Sequence, residues 1–168
     1  MRIRQANASD LASMWSIFRA VVSAGDALPF AADFDLSTFQ SHWFASQRSY
    51  VAVTDAAVLG MYKFGANYPG LGSHVATATY LVDPEAQGLG VGRALVQHSL
   101  TQAKDAGYLA MQFNYVLSSN APAVELYKKL GFAIVGTLPQ AFRHRRLGLV
   151  DVYVMHRPLH AEDARGFV

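Results

Sequence analysis

Between Asp83 and Arg93 the chain places Gly88, Gly90 and Gly92 at alternate positions, and regular patterns flank them on both sides. Residues 74–82, rich in Thr, Val and Tyr, read as a strand, and an apolar-periodic run from about Gly92 reads as a helix that Gly107 stops near Ala106. A strand that feeds a helix through a turn without side chains leaves backbone N–H groups unpaired at the positive end of the helix dipole. Such a turn cradles a phosphate group. A β-carbon would hold the anion off the amides, and glycine reaches positive φ without strain. A plain helix cap would need a single glycine. Neither the lysine of the GxxxxGK[ST] phosphate loop nor the GxGxxG spacing of a dinucleotide fold is present.

The rest of the chain alternates strand and helix signals without an internal repeat or a low-complexity linker, as expected of a single α/β domain. Residues 1–5 read as an edge strand. Asn7, Ser9 and Asp10 offer caps for an amphipathic helix carrying Leu11, Met14, Trp15, Phe18 and Val22, ended by Gly25 and Pro29. Residues 37–45 form a second, short helix, and 49–54, 57–64 and 74–82 an antiparallel meander. Beyond the glycine turn come a strand over 109–116, a helix over 121–130 stopped by Gly131, and last strands over 132–136 and 150–155.

With 168 residues and 52% hydrophobic content the chain can bury a substantial core, so residues 1–159 are expected to form the domain and 160–168 a flexible tail. No apolar stretch reaches the roughly 20 residues of a membrane helix, and residues 1–5 lack the apolar block of a secretory signal. A cytoplasmic protein without a membrane partner, monomeric or homodimeric, is expected. The absence of cysteine excludes disulfides, thiolate metal sites and an acyl-cysteine step, and a net charge of +2 gives no reason to expect a nucleic-acid partner. His156 and His160 are four apart, but Pro158 between them breaks the helix that a metal pair would need, so no metal is expected.

Gln87, Gly90 and Gly92 match the [Q/R]xxGx[G/A] loop of the GCN5-related N-acetyltransferase (GNAT) superfamily, and 120–132 resembles its NxxAxxLYxxLGF segment almost residue for residue. This resemblance implies an α/β fold with a mixed, mostly antiparallel sheet, splayed between the fourth and fifth strands and flanked by helices. It implies acetyl-CoA as cofactor, held by Leu81, Val82, Gln87, Gly88, Leu89, Gly90, Val91, Gly92 and Arg93. Asn120 would contact the pantetheine arm, and backbone N–H near Val82, on a bulged strand, the oxyanion. The hydroxyl of Tyr127 would point at the thioester sulfur as proton donor to the departing thiolate. The implied activity is acetyl transfer to a small amine, expected to be an amino acid or analogue, directly in a ternary complex. A noncatalytic acyl-CoA-binding domain and an acetyltransferase of protein N-termini are the alternatives.

No acid occupies 76–82 or 109–117, so the sequence assigns no general base. Gln112 and Asn114 share one face of an otherwise apolar strand, where buried amides need partners, and a structural pair and a functional one are both open. The stretch 111–116, with 24–26 and 42–44, resembles the branch of the superfamily that contains the yeast azetidine-2-carboxylate N-acetyltransferases. In that branch Asn114 matches an acceptor-site residue and Thr77 stands where a second Asn falls. The resemblance lays the loop carrying Arg143, Arg145 and Arg146 over the acceptor mouth, where these cations attract a carboxylate or are simply solvated, and it lines that mouth with Phe30. His74, at the start of a strand, reads as a surface residue before a base.

Overall fold

The computed structural model describes residues 1–30, 33–44 and 48–160. Its strands are β1 (Arg2–Gln5), β2 (Arg48–Val53), β3 (Val58–Ala66), β4 (Val75–Val82), β5 (Ala110–Leu117), β6 (Ala133–His144) and β7 (Gly148–Pro158), and its helices α1 (Leu11–Ala24), α2 (Leu36–Phe44), α3 (Val91–Asp105) and α4 (Ala121–Lys129). The strands make one sheet in the order β1-β2-β3-β4-β5-β7-β6. The described residues fall into two compact units, one drawn from 1–65 and 79–99, the other from 66–78 and 100–160.

In the first unit, β1 pairs antiparallel with β2, and β2 with β3. Entry into α1 is capped as the sequence suggests. The Asn7 side chain accepts from Ser9 N at 2.9 Å, and the Asp10 carboxylate accepts from Asn7 N at 2.9 Å and takes a bidentate ion pair from Arg4 at 2.7 and 2.8 Å. Gly25, at φ +69°, ends the helix. The core on this side is built from Met14, Ile17, Phe18, Phe39, Trp43, Val51, Met61 and Leu81. α2 starts at Leu36, one residue before the expected position, because the Asp35 carboxylate accepts from Thr38 N at 2.7 Å and caps it. Its expected last residue, Ala45, lies outside the described residues.

α3 starts one residue early, at Val91, and lies against the sheet at Gly60, where a β-carbon would come within 2.9 Å of Leu81 O and 3.0 Å of Val91 Cγ1. Polar contacts pin it further along: Tyr62 Oη lies 2.7 Å from His98 Nδ1, and Tyr80 Oη 2.7 Å from Ser99 Oγ. The helix that presents the glycine turn is thereby fixed from below.

In the second unit β4 runs parallel to β5, pairing Val75↔Ala110 and Ala76↔Met111 at the N-terminal ends of both strands, as the splay requires. β5 pairs antiparallel with β7, and a bulge sets Asn114 and Tyr115 opposite Val154 alone, between the Phe113↔Met155 and Val116↔Tyr153 pairs. The last two strands are longer than the sequence suggests. β6 and β7 form a hairpin that pairs as far as His144↔Gly148, so Arg143 is a strand residue facing Leu149 in the register and only 145–147 turn. β6 is an edge strand with little buried surface and two register shifts, so it carries no alternating pattern that would betray it. The ring of His160, expected to begin a tail, donates from Nε2 to Tyr108 O at 3.2 Å; residues 161–168 lie outside the described residues.

Candidate active site

In the first unit, all nine residues from Leu81 to Arg93 expected to hold the cofactor fall on one strand, turn and helix start. Leu81 is buried and Val82 half-buried at the end of β4, while Gln87, Gly88, Leu89 and Gly90 are exposed. Asp83 opens a short 3₁₀ turn, Pro84–Ala86, by accepting from Glu85 N at 2.9 Å, and its own N–H donates to Leu59 O at 2.9 Å. Gly88 and Gly90 both stand at φ +79° with nothing within 4 Å of where a β-carbon would lie. The ladder of α3 begins with Ala94 N donating to Gly90 O, so the amides of Val91, Gly92 and Arg93 precede it. Gly88 and Gly90 thus meet both requirements of a phosphate cradle, positive φ and open space before the amides. Gly92 differs from the expectation: it is a helical residue without positive φ, so conformation does not explain its lack of a side chain.

Phe30, expected at the acceptor mouth, belongs to an aromatic cluster of the same unit, 5.1 Å from Phe34, 5.6 Å from the His42 ring and 5.7 Å from Phe18. Close to His42 lies a residue the sequence reading passed over. Lys63, 4% exposed on β3, donates from Nζ to His42 O at 3.0 Å and sits 5.6 Å from the Trp43 ring centroid. No described carboxylate pairs with it, and burial pushes its pKa down to about 8. His42 is held below the ordinary histidine value, first by burial and then by the charge of Lys63.

In the second unit the face of β5 that carries Gln112 also carries Asn114, and the two are bonded: Gln112 Nε2 donates to Asn114 Oδ1 at 2.8 Å. Asn67, beyond the end of β3, completes the group, with Asn114 Nδ2 donating to Asn67 Oδ1 at 2.6 Å and Asn67 Nδ2 returning a long bond of 3.4 Å. These amides are partnered, but not because they are buried. Asn114 is exposed and Gln112 half-buried, so the expectation of a buried pair is corrected. Asn67 had no signal in the sequence beyond its place before a loop. Thr77, half-buried, follows the Ala76↔Met111 pair as Gln112 does, and so lies on the same side of the sheet.

The opposite face of β5 carries Phe113, whose ring lies 4.3 Å from Phe132 and 4.7 Å from Tyr127 on α4. The structure therefore sets Tyr127 and Asn114 on opposite faces of one strand. Tyr127 is half-buried, and burial of its hydroxyl pushes the pKa up to about 12, so it stays protonated near neutrality. Asn120 caps α4, accepting from Ala123 N at 3.3 Å. Arg143 is exposed and forms no ion pair with a described residue. His74 is exposed beside Leu71 O, as a surface residue would be. Among the described residues no group of three or more histidines and carboxylates is placed to hold a metal ion, and no helix is long and apolar enough to cross a membrane.

The profile of the Acetyltransferase (GNAT) family matches residues 14–132, which take in both the glycine turn and the Asn120–Phe132 segment. The chain belongs to the GNAT family. A solved GCN5-related N-acetyltransferase from Kribbella flavida superposes with a TM-score of 0.91 at 40% identity, over 94% of this chain and 96% of that one. The yncA protein of Salmonella typhimurium, solved with its cofactor acetyl-CoA, superposes with a TM-score of 0.79 at 25% identity, covering 95% and 94%. N-acetyltransferase aca1 of Schizosaccharomyces pombe is 32% identical over 58% of this chain, which spans about half (47%) of that protein's length. The L-amino acid N-acyltransferase MnaT of Escherichia coli is 28% identical over 83% of this chain and 84% of its own. The turn at Gly88 and Gly90 fits the pyrophosphate of the GNAT cofactor, acetyl-CoA, through the amides that precede the α3 ladder.

Proposed function

We propose that this GNAT protein transfers an acetyl group from acetyl-CoA to the amine of a small amino acid or close analogue, directly in a ternary complex. The observation that carries the reading is the amide group in which exposed Asn114 on β5 is held by half-buried Gln112 of the same strand and by Asn67 beyond β3, while the other face of β5 packs against Tyr127. Amides held rigid by one another are preorganised to orient an amine or a bridging water without competing with it as bases. The likeness to an L-amino acid N-acyltransferase over most of both chains supports the same acceptor class.

Bound acetyl-CoA supplies the activated acetyl group and a sulfur leaving group. The amides of Val91, Gly92 and Arg93, reached over Gly88 and Gly90, would hold its phosphates, Gln87, Leu89, Leu81 and Val82 would border it, and Asn120, besides capping α4, would hold its arm. Tyr127 would donate a hydrogen bond to the sulfur as negative charge develops there. A hydroxyl with pKa about 12 would lose its proton to a thiolate of ordinary pKa, about 8.5, only uphill, so it acts by hydrogen bonding with the proton retained. Thr77 and Asn114 would face the acceptor, and Arg143 would attract its carboxylate.

Thiol release from acetyl-CoA, followed across a panel of amino acids, their carboxamides, polyamines and peptides, tests the acceptor. A free amino acid is expected to exceed its carboxamide by about tenfold or more in kcat/KM, the loss expected for one charged hydrogen bond. Equal rates for acid and amide, or reaction of peptides and polyamines alone, would refute the amino-acid assignment.

A further inference from the structure

The sequence leaves the reaction without a base, since neither β4 nor β5 carries an acid. The register fills the gap from another strand. His156 on β7 stands directly opposite Gln112 on β5, and cross-strand partners share a face with their β-carbons about 5 Å apart. The imidazole therefore borders the face on which Gln112 holds Asn114 and Asn114 holds Asn67. It is half-buried and bonds to no described residue. From this position we propose that His156 is the proton acceptor of the reaction, taking the proton from the acceptor amine directly or through one water held by the amide group.

The surroundings suit that task. From β5 the residue facing His156 is Gln112, from β6 Ala133, and along β7 the same face continues with Val154 and Pro158. None of them is charged. Arg157, the nearest cation along the chain, points to the other face, where Nη1 donates to Leu130 O at 2.6 Å. Burial holds the imidazole below its ordinary pKa, so it is neutral and able to accept a proton at pH 7. As the amine nitrogen bonds to the acetyl carbon and the carbon–sulfur bond breaks, the proton from nitrogen goes to His156. The sulfur keeps the electron pair under the Tyr127 hydrogen bond, and solvent afterwards removes the proton from the imidazolium. The inference rests on the acetyltransferase reading above.

Two measurements on the full chain test it. The pH profile of kcat/KM for the fastest acceptor in the panel should show an acidic limb below pH 6.5 that disappears in His156→Gln, with kcat near pH 7 reduced by about 10²-fold and KM for acetyl-CoA unchanged. The imidazole signal missing from the NMR spectrum of His156→Gln should titrate below 6.5 in the wild type and shift when that acceptor is added. His160→Gln, whose ring is spent on Tyr108 O, should behave as wild type in both. A folded His156→Gln protein with normal turnover and an unaltered acidic limb would overturn the role of His156 and leave the acetyltransferase reading standing. A wild type that acetylates nothing would overturn both.

Discussion

At the residue scale, two side-chain choices make opposite demands on the chain. Gly90 adopts φ +79° before open space, so an alanine there meets no neighbour but incurs the strain of left-handed backbone, about 1 kcal/mol, and puts a methyl group into that open space. Gly90→Ala is expected to stay folded and to lose most of its acetyl-CoA affinity in calorimetry; unchanged affinity would remove the cradle reading. Tyr127→Phe deletes one hydroxyl from an aromatic cluster that remains packed, so kcat should fall by about 10²-fold with little change in acetyl-CoA affinity. Near-normal turnover would reduce Tyr127 to packing. Lys63 is a cost that the fold carries. Its pKa lies near 8 in the folded protein and at 10.5 unfolded, so the unfolded chain binds more protons between those values and stability rises with pH across that window. Urea titrations from pH 8 to 10.5 should show the rise in the wild type and not in Lys63→Met. These residues differ in legibility: Gly90 and Tyr127 stand in contiguous motifs, while Lys63 gave no sign of burial because the residues over it come from α2.

At the element scale, the glycine turn is only as well placed as α3. The helix sits against β3 at Gly60, where a methyl group would lie 2.9 Å from the backbone oxygen of Leu81, an atom that cannot move without moving β4. Gly60→Ala is expected to lower stability by about 1–3 kcal/mol and to weaken acetyl-CoA binding together with it, since relief requires α3 to lift. Urea melts and calorimetry on the same variant would check the coupling; lost stability with unchanged affinity would show that the turn is independent of the seat of the helix. The sequence predicts α1, α3 and α4 to within a residue or so at each end, because capping and glycine stops act within a single turn of chain. It misses most of the β6–β7 hairpin, since an edge strand with almost no buried face has no hydrophobic period.

At the scale of the whole molecule, His42, His98 and His156 all lie below their ordinary pKa, each chiefly through burial. In each case the unfolded chain binds the proton more readily, so stability is present above 6.5 and falls as pH drops through that value. A second loss follows at lower pH, where Asp10, held below 3.8 chiefly by its hydrogen bonds from Arg4, must take up a proton. Thermal melts should show a lower midpoint at about pH 5.5 than at 7.5, and a flat response over that range would contradict the partial desolvation of the three rings. Read alone, the sequence determined the glycine turn, the caps of α1, the glycine stop of α4 and the Asn120–Phe132 segment with its tyrosine. All of these are relations between residues a few positions apart, which backbone torsions and hydrogen bonds within one turn enforce. Only the tertiary structure decided that Asn67 meets Asn114, that a bulge turns Asn114 and Tyr115 outward together, and that His156 stands opposite Gln112. Strand register joins residues more than forty positions apart, and it is set by the packing of a whole sheet, for which no short stretch of chain carries a mark.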